Sequence, residues 1–182
     1  ISNGFNSKSS RASLLIVDLQ TGKLIKRIRV SGSGSALSAP ALLDRDTDGY
    51  VDFVYAGDDA GNLWRFNIKS TDVDAWGVDL SGAPLLVTDS NQPITSAPTV
   101  YVTTDSKVMV YVGTGKYLGF TDKTNDSIQA MFAVQDKWLD GQSFTMSLNS
   151  SRLVQQSIEI EQDSATLADG TVFDDTVARG QP

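Results

Sequence analysis

Short runs of hydrophobic residues, each bounded by turn-forming residues, recur along the chain. The runs are rich in β-branched and aromatic residues, and Gly, Asn, Asp or Ser stand beside them, which is typical of β-strands. No window of helical length sustains a hydrophobic period of about 3.6 residues. The pattern therefore predicts an all-β chain, with strands that include Leu14–Val17, Phe53–Tyr55, Leu63–Phe66, Val108–Val112 and Met131–Val134.

Two sequence features recur together at nearly the same spacing. Ser38–Pro40 returns 58 residues later as Ser96–Pro98, and Tyr55–Gly57 has its counterpart 56 residues later in Tyr111–Gly113. Paired recurrence of this kind indicates a repeat architecture. Each unit reads as three strands, the third reached through a loop of variable length, followed by an outer strand such as Pro84–Val87.

The strand content of the repeat predicts a propeller. Four strands in about 55–60 residues match a large propeller blade, so the predicted fold class is all-β, a β-propeller fragment of about three four-stranded blades. An ordinary β-sandwich is the alternative, because sandwiches also contain short strands at regular spacing. Closed propellers have about four to eight blades. Residues 1–182 are therefore predicted to be a single propeller segment, either an excerpt of a larger propeller or one that closes with another chain.

The two ends of the chain give weaker signals. The chain begins at Ile1 without an initiator Met or a signal peptide, which agrees with a fragment or a processed chain. Residues 139–182 are predicted to form a partly irregular C-terminal portion, with one clear strand at Val154–Ile160. The polar stretch beyond that strand fits either an outer strand or a fraying end.

Composition excludes several kinds of chemistry. The chain has no Cys and no His, so it cannot build a thiolate metal site, a disulfide, a His-ligated zinc or a Ser-His-Asp triad. We therefore expect a protein that is not an enzyme. The net charge of −7 comes without an obvious positive patch, which argues against a nucleic-acid partner. No run approaches the ~18 apolar residues of a membrane-spanning helix, so we expect no membrane span.

Acidic side chains alternate along the segment 44–52. Four Asp residues stand at its first, third, fifth and ninth positions, with Gly49 at the sixth. Ca²⁺ takes about six to eight oxygen ligands, and alternate residues of a curled loop can aim carboxylates at one point. Glycine at the sixth position permits a sharp reversal of the chain. The loop is predicted to bind one Ca²⁺ through the side chains of Asp44, Asp46, Asp48 and Asp52 and the main-chain carbonyl of Tyr50.

A solvated, Asp-rich hairpin turn is the alternative, since Asp and Gly are common in turns. Two observations favour the ion. Four carboxylates within nine residues repel one another unless a cation neutralises them. The equivalent hairpin of the next repeat, Thr103–Lys107, carries no such series of acids. Tyr55 occupies the twelfth position, where a helical EF-hand has its acidic ligand, and the flanking runs predict that strands carry the loop.

Several blocks of the chain together resemble one family. They are similar to the C-terminal domain of type IV pilus tip-associated proteins, the PilY/PilC-type adhesins, and the similarity extends to about residue 160. Each block alone is a weak signal, whereas the combination is specific. The blocks are Ser38–Phe66, Val17–Lys23, Pro93–Pro98, Tyr111–Leu118 and Leu153–Gln156.

The resemblance implies a location and a role. The fold would be a quinoprotein-like propeller, found at the cell surface, at the pilus tip (fimbrium) or on the outer membrane of a Gram-negative bacterium. It would regulate pilus extension against retraction, and hence twitching motility, and would support adhesion to surfaces or host cells. Implied partners are pilins or minor pilins, the pilus assembly machinery and a host surface receptor. In the family, calcium in this loop tunes those functions.

Two other functions fit parts of the sequence. Val17–Lys23 resembles the blade repeat of pyrroloquinoline-quinone dehydrogenases, but those enzymes hold calcium beside a central cofactor, whereas this loop is predicted between adjacent strands of one blade. The vicinal Cys pair of many such enzymes is also impossible here. An integrin-like or lectin-like binding propeller, in which calcium acts only as a rigid staple, is the second alternative.

Overall fold

The computed structural model describes residues 1–5, 11–89, 91–137, 148–149, 153–166 and 172–181. Within these residues the regular structure is β-strand, apart from short 3₁₀ helices at Val73–Ala75, Leu80–Gly82 and Phe120–Thr124. The all-β prediction is confirmed. None of the helices in the described part of the chain has the length and hydrophobicity to cross a membrane.

The strands are numbered in the order in which they occur along the chain. In chain order they are β1 (Ser13–Val17), β2 (Leu24–Arg29), β3 (Ala41–Leu43), β4 (Phe53–Gly57), β5 (Asn62–Asn67), β6 (Gly77–Val78), β7 (Leu86–Val87), β8 (Thr99–Val102), β9 (Val108–Gly113), β10 (Met131–Gln135), β11 (Leu148–Asn149), β12 (Ser157–Thr166) and β13 (Val172–Gln181). All five hydrophobic runs named in the sequence analysis form strands, namely β1, β4, β5, β9 and β10.

The chain divides into two compact units, Ile1–Ser150 and Ser151–Pro182. In the first unit β1 and β2 form an antiparallel pair, β8, β9 and β10 form a three-stranded sheet, and the central sheet has the order β11-β7-β5-β4-β3 with β6 also paired to β5. The second unit contains the antiparallel hairpin β12–β13. The four-stranded meander predicted for a blade is present in β3, β4, β5 and β7, where each neighbouring pair is antiparallel.

The C-terminal prediction is only partly covered by the described residues. The strand expected at Val154–Ile160 is displaced toward the C terminus, because β12 begins at Ser157 and continues to Thr166. Residues 138–147, 150–152, 167–171 and 182 lie outside the described part. The irregular character predicted for 139–182 therefore stays a prediction.

The central strands β4 and β5 are buried on both faces. Every residue of β4 and the four inner residues of β5 are buried. Because successive side chains of a strand point to opposite faces, Trp64 and Phe66 lie together on one face, where they join a hydrophobic cluster with Leu14 and Ile28 of the β1–β2 sheet. Burying a side chain of this size contributes about 1.5–3 kcal/mol. This face holds the first two sheets together.

The opposite face of β4 and β5 carries a buried polar network. Tyr55 and Arg65 are directly opposed in the antiparallel register, and both reach the carboxylate of Asp136, which follows β10. The Arg65 Nη1 to Asp136 Oδ1 distance is 2.6 Å, and the Tyr55 hydroxyl donates to Asp136 Oδ2 at 2.8 Å. Asp79 accepts from Arg65 Nε at 3.0 Å. The network ties the central sheet to the β8–β10 sheet.

The ionisation of this network follows from its burial. Burial, together with the Asp136 carboxylate, raises the pKa of Tyr55 far above its usual range, so the phenol stays protonated and donates. Burial is the largest influence on the pKa of Arg65 and acts to lower it, but the charge and hydrogen bond of Asp136 together with the charge of Asp79 act in the other direction, and the pKa is raised. Arg65 therefore stays cationic, and its carboxylate partners offset the cost of burying its charge.

One glycine allows a close approach between β4 and the segment that joins β7 to β8. A Cβ placed on Gly57, the last residue of β4, would lie 2.1 Å from the side chain of Ile94 and 2.9 Å from its carbonyl oxygen. The backbone at Ile94 is held there, since its N–H donates to Asp58 O at 2.9 Å. A Cβ on Gly113, the equivalent glycine of the next repeat, would meet no atom of the described residues within 4 Å.

Candidate metal centre

The acidic loop 44–52 joins β3 to β4, the strands that carry it on either side. Leu43 and Phe53 form the last register pair of these strands, and the N–H of Asp52 donates to Leu43 O at 2.9 Å. The backbone turns back through two residues of positive φ, Thr47 at 62° and Gly49 at 92°. Glycine adopts such an angle without steric cost, so the reason given for a glycine at this position is confirmed.

Side chains of the loop hold its backbone curled. Asp44 Oδ1 accepts from the N–H of Thr47 at 2.7 Å, and its Oδ2 accepts from the N–H of Gly49 at 2.9 Å. Asp48 Oδ1 accepts from the N–H of Tyr50 at 2.8 Å. The Asp44 side chain therefore holds two backbone N–H groups of the loop, whereas the Asp48 side chain accepts from one. Carboxylates that accept backbone N–H bonds in this way are common in turns.

Three of the predicted ligands converge. Asp44, Asp46 and Asp48 each offer a carboxylate oxygen, and these atoms lie within 4.8 Å of one another. Asp46 and Asp48 are exposed and Asp44 is partly buried. Like charges at this distance repel, and oxygen atoms so close together can share one hard cation. The spacing argument made from the sequence thus leads to a real cluster of oxygens.

Asp52, the fourth predicted carboxylate, plays a different part in this structure. Only 3% of Asp52 is exposed, and its Oδ2 accepts from the N–H of Arg45 at 2.7 Å and from the N–H of Asp46 at 3.4 Å. The other oxygen, Oδ1, lies 3.5 Å from Lys69 Nζ. Asp52 is therefore a buried brace at the base of the loop, outside the group of three converging carboxylates.

Tyr50, the fifth predicted ligand, points its ring into solvent and is 78% exposed. Its predicted contribution is the main-chain carbonyl, and no described residue donates a hydrogen bond to that oxygen. Within the described residues, the carbonyl is thus available to a metal ion.

A lysine that the sequence analysis did not identify contacts two of the acids. Lys69 Nζ lies 2.6 Å from Asp46 Oδ2 and 3.5 Å from Asp52 Oδ1. The hydrogen bond to Lys69 lowers the pKa of Asp46, and the same bond raises the pKa of Lys69. Both groups therefore stay charged through the neutral range. A cation already lies against the carboxylates of this loop.

The strand register could have revealed Lys69. Phe53 pairs with Asn67 in the β4–β5 ladder, and the N–H of Ile68 donates to Asp52 O at 2.9 Å. Extending this pairing by one residue places Lys69 beside the base of the loop. Asp52 and Lys69 are 17 residues apart, on the two strands of one hairpin. Their proximity follows from the strand register, which can be counted only after the turn of the hairpin has been located.

The loop also contacts the hairpin of the next repeat. Arg45 Nη2 donates to Ser106 O at 2.8 Å, and Ser106 belongs to the hairpin between β8 and β9. That hairpin has an ion pair of its own, in which Lys107 Nζ lies 2.7 Å from Asp105 Oδ2. The two equivalent hairpins are therefore neighbours, and only the first carries a cluster of acids among the described residues.

The donor set fits a calcium ion. All the candidate atoms are hard oxygens, from carboxylates and one carbonyl, which is the chemistry that Ca²⁺ prefers. Three of these carboxylates have oxygens within 4.8 Å of one another, and the Lys69 ammonium already acts as a cation beside them. Imidazole and thiolate, the ligands typical of structural zinc sites, are not available, since the chain has neither His nor Cys.

Comparisons with known proteins agree on one family. A family described as "PilY1 beta-propeller domain" matches residues 1–170. A "Type IV pilus biogenesis factor PilY1" of Pseudomonas aeruginosa is 36% identical over 194 residues, which cover 89% of this chain and 17% of the relative. A "Type IV pilus biogenesis factor PilY1 homolog" of Xylella fastidiosa is 35% identical and covers 74% of this chain and 10% of the relative.

A solved structure matches the fold. The crystal structure of the Pseudomonas aeruginosa PilY1 C-terminal domain superposes with a TM-score of 0.81 at 28% identity, over 100% of this chain and 43% of that one. The β-propeller fold predicted from the repeats is thereby supported, as is the resemblance to pilus tip-associated proteins. The chain spans less than a fifth of the length of the curated relatives named above. The chain belongs to the PilY1 β-propeller family.

Proposed function

We propose that the loop 44–52 binds one Ca²⁺. The observation that carries the proposal is the convergence of Asp44, Asp46 and Asp48 within 4.8 Å. The Tyr50 carbonyl and the side chain of Asp52 complete the proposed ligands, and Asp52 joins by exchanging its contact with Lys69 for the ion. When bound, calcium supplies two positive charges to a loop that otherwise holds its acids together against their repulsion.

The described sheets are proposed to belong to about three blades of a larger propeller. The meander β3-β4-β5-β7 supplies one complete four-stranded unit. The pair β1–β2 and the sheet β8–β10 supply parts of its two neighbours, on opposite faces of β4 and β5. A calcium loop between β3 and β4 therefore lies within one blade. This position differs from the central cofactor site of a quinoprotein dehydrogenase.

The parent protein is proposed to act in type IV pilus biogenesis at the surface of a Gram-negative cell. The names of the relatives support this role. Its partners would be pilins or minor pilins and the assembly machinery, at the pilus tip or the outer membrane, with a host receptor as a further partner in adhesion. The domain works as a binding and regulatory module rather than as an enzyme, in keeping with a chain that lacks both His and Cys.

An integrin-like or lectin-like use of the domain is the competing function, with calcium as a staple. The contact from Arg45 to Ser106 favours a regulatory ion, because it connects the loop to a neighbouring hairpin. A change of charge in the loop can thus alter a surface beyond it. Glycan-array binding by the isolated domain at constant affinity with and without calcium would support the competing function.

The chain is expected to bind one equivalent of Ca²⁺ with a dissociation constant of about 10⁻⁶ to 10⁻⁵ M, as for sensor sites. Three converging carboxylates and one carbonyl give a site of high charge, which favours binding tighter than in most extracellular modules. Isothermal titration calorimetry on chelator-treated protein measures the constant and the stoichiometry. Calcium at about 100 times that constant should stabilise the fold by about 2.7 kcal/mol.

A titration without heat, or with two or more equivalent sites, would contradict this calcium site. Titration with Mg²⁺ is the matched control, because its strict octahedral shell suits the loop poorly, and weaker Mg²⁺ binding is expected.

In cells that carry the full-length parent protein, Asp48→Asn is expected to make piliation and twitching insensitive to external calcium. The Asp48 side chain is exposed and accepts a hydrogen bond from the Tyr50 N–H, which an asparagine oxygen can also accept, so the variant should change the ion affinity without changing the fold. Surface pilin and twitching-zone diameter are measured over a calcium series. If wild type and variant respond identically, the ion has no regulatory role, and calcium is a structural staple.

A further inference from the structure

The ammonium of Lys69 lies where a metal ion would meet the loop. It is 2.6 Å from Asp46 Oδ2 and 3.5 Å from Asp52 Oδ1, so one cation joins a converging carboxylate at the tip of the loop to the brace at its base. The ammonium takes up part of the acceptor capacity of the Asp46 carboxylate that a metal ion would use. The two cations also repel each other at such distances.

We propose that Lys69 is a tethered competitor of calcium, whose ammonium must leave Asp46 and Asp52 before the ion is fully bound. The proposal rests on the calcium site of the preceding subsection and assigns its regulation. In the calcium-free protein Lys69 neutralises part of the charge of the loop. In the calcium-bound protein its side chain moves into solvent, and the affinity of the site is reduced by the cost of this exchange.

The position of Lys69 is fixed by the backbone. The N–H of Ile68 donates to Asp52 O at 2.9 Å, and the N–H of Lys69 donates to Asn67 Oδ1 at 3.1 Å. The main chain therefore holds the root of the side chain next to the loop, at a high effective concentration that free cations in solution do not have.

The side chain itself can leave. It is 54% exposed, and a lysine has a flexible four-carbon stem that reorients at little cost. A group with a fixed root and a mobile tip can exchange with an incoming ion without unfolding the loop.

The contact differs from an ordinary surface ion pair. Lys107 in the neighbouring hairpin pairs with the carboxylate of Asp105 in its own turn, whereas Lys69 reaches two carboxylates of another segment. One of these, Asp52, has a side chain that is only 5% exposed. Charges withdrawn from water are screened less by salt, so the contact of Lys69 with Asp52 is screened less than a contact between two exposed groups is.

Other charged groups around the loop do not serve in the same way. Arg45 lies within the loop, but its guanidinium donates to Ser106 O. The other two carboxylates of the loop belong to Asp44 and Asp48. Among the described residues, Lys69 forms its ion pairs with Asp46 and Asp52 instead. Lys69 is thus the cation that loses its partners when a metal ion is bound by Asp46 and Asp52.

Lys69→Gln is expected to tighten Ca²⁺ binding on the order of threefold to tenfold, because the neutral amide competes weakly for carboxylates. Calorimetry with CaCl₂ on chelator-treated protein measures the dissociation constant. Lys69→Arg keeps the positive charge, so its calcium affinity should be close to that of wild type. Lys107→Gln removes the same charge from the neighbouring hairpin, and its dissociation constant should stay within about twofold of wild type.

A second measurement separates competition from a general change in stability. The calcium-induced rise in melting temperature should be larger for Lys69→Gln than for wild type, since the variant begins with unneutralised acids. Equal or weaker calcium binding by Lys69→Gln, or equal tightening by Lys107→Gln, overturns the competitor role while leaving the calcium site in place. If neither wild type nor Lys69→Gln binds calcium, the site itself is wrong and this inference fails with it.

Discussion

Replacing Asp136 by Ala is expected to lower the free energy of unfolding by about 3–5 kcal/mol, the usual cost of removing one partner of a buried ion pair. Arg65 is 4% exposed and Asp136 is fully buried. The substitution leaves the guanidinium with Asp79 as its remaining carboxylate, at 2.9 Å. It also leaves the Tyr55 hydroxyl without its acceptor. Both losses occur at a buried site, since the Asp136 side chain is fully buried.

Asp136→Ala should lower the free energy of unfolding more than Tyr55→Phe or Asp79→Ala does. Tyr55→Phe deletes one neutral donor to a charged acceptor and is expected to cost about 1.5–3 kcal/mol at most. Asp79 is a quarter exposed in its side chain, so Asp79→Ala lets water reach the freed guanidinium and should cost less than Asp136→Ala. Urea unfolding followed by circular dichroism measures all three.

A loss below about 1 kcal/mol for Asp136→Ala would mean that the β8–β10 sheet is held by its hydrophobic residues alone. Asp136→Asn provides a second test if the alanine variant fails to fold. The amide keeps the shape and an acceptor for Tyr55, but it removes the charge that pairs with Arg65. Its stability should lie between those of wild type and Asp136→Ala.

Asp48→Asn is expected to weaken Ca²⁺ binding by about tenfold to a hundredfold, because affinity in loops of this kind follows the number of ligand charges. Asp48 is the best of the acids for this test. Asp44 holds two backbone N–H groups of the loop and Asp52 is a buried brace, so changes there would also disturb the loop. The Asp48 side chain accepts from the N–H of Tyr50, and an asparagine oxygen can accept that bond.

The matched control is Asp105→Asn, which makes the same chemical change in the neighbouring hairpin. Calcium affinity should be unchanged in that variant, and both variants should keep the far-ultraviolet circular dichroism of wild type. Unaltered calorimetry for Asp48→Asn would remove Asp48 from the ligand set. Loss of structure in Asp48→Asn would show instead that the ion is required for folding.

Local pattern was sufficient for the strands and for part of the metal loop. Alternating burial in β9, where Val108, Val110 and Val112 are buried, is the kind of signal that periodicity detects. The convergence of Asp44, Asp46 and Asp48 also followed from spacing, since a tight turn brings alternate residues to one side. Both features are determined by residues close together in the sequence.

The role of Asp52 could not be predicted from spacing. Its place in the series suggested a fourth converging ligand, but the strand β4 begins at the next residue and fixes the Asp52 backbone in a ladder with Leu43 and Ile68. The carboxylate is thereby held at the base of the loop, where it accepts from the N–H of Arg45. Strand pairing determines the direction of this side chain.

Contacts between distant parts of the chain left no trace in the local sequence. Arg65 and Asp136 are 71 residues apart, and Arg45 and Ser106 are 61 residues apart. Either residue of each pair reads alone as an ordinary polar residue in a strand or turn. Their partners become identifiable only when the packing of one sheet on the next is known.

The two equivalent glycines of the repeat, Gly57 and Gly113, differ in how much space surrounds them. At Gly57 the neighbouring chain passes so close that a methyl group would collide with Ile94, whereas at Gly113 a methyl group would meet no described atom within 4 Å. A designer who averaged the repeats into a consensus would keep glycine in both and would learn nothing of this difference. An idealised version of the propeller therefore needs the paths of its connecting segments set first, and its glycines assigned afterwards, repeat by repeat.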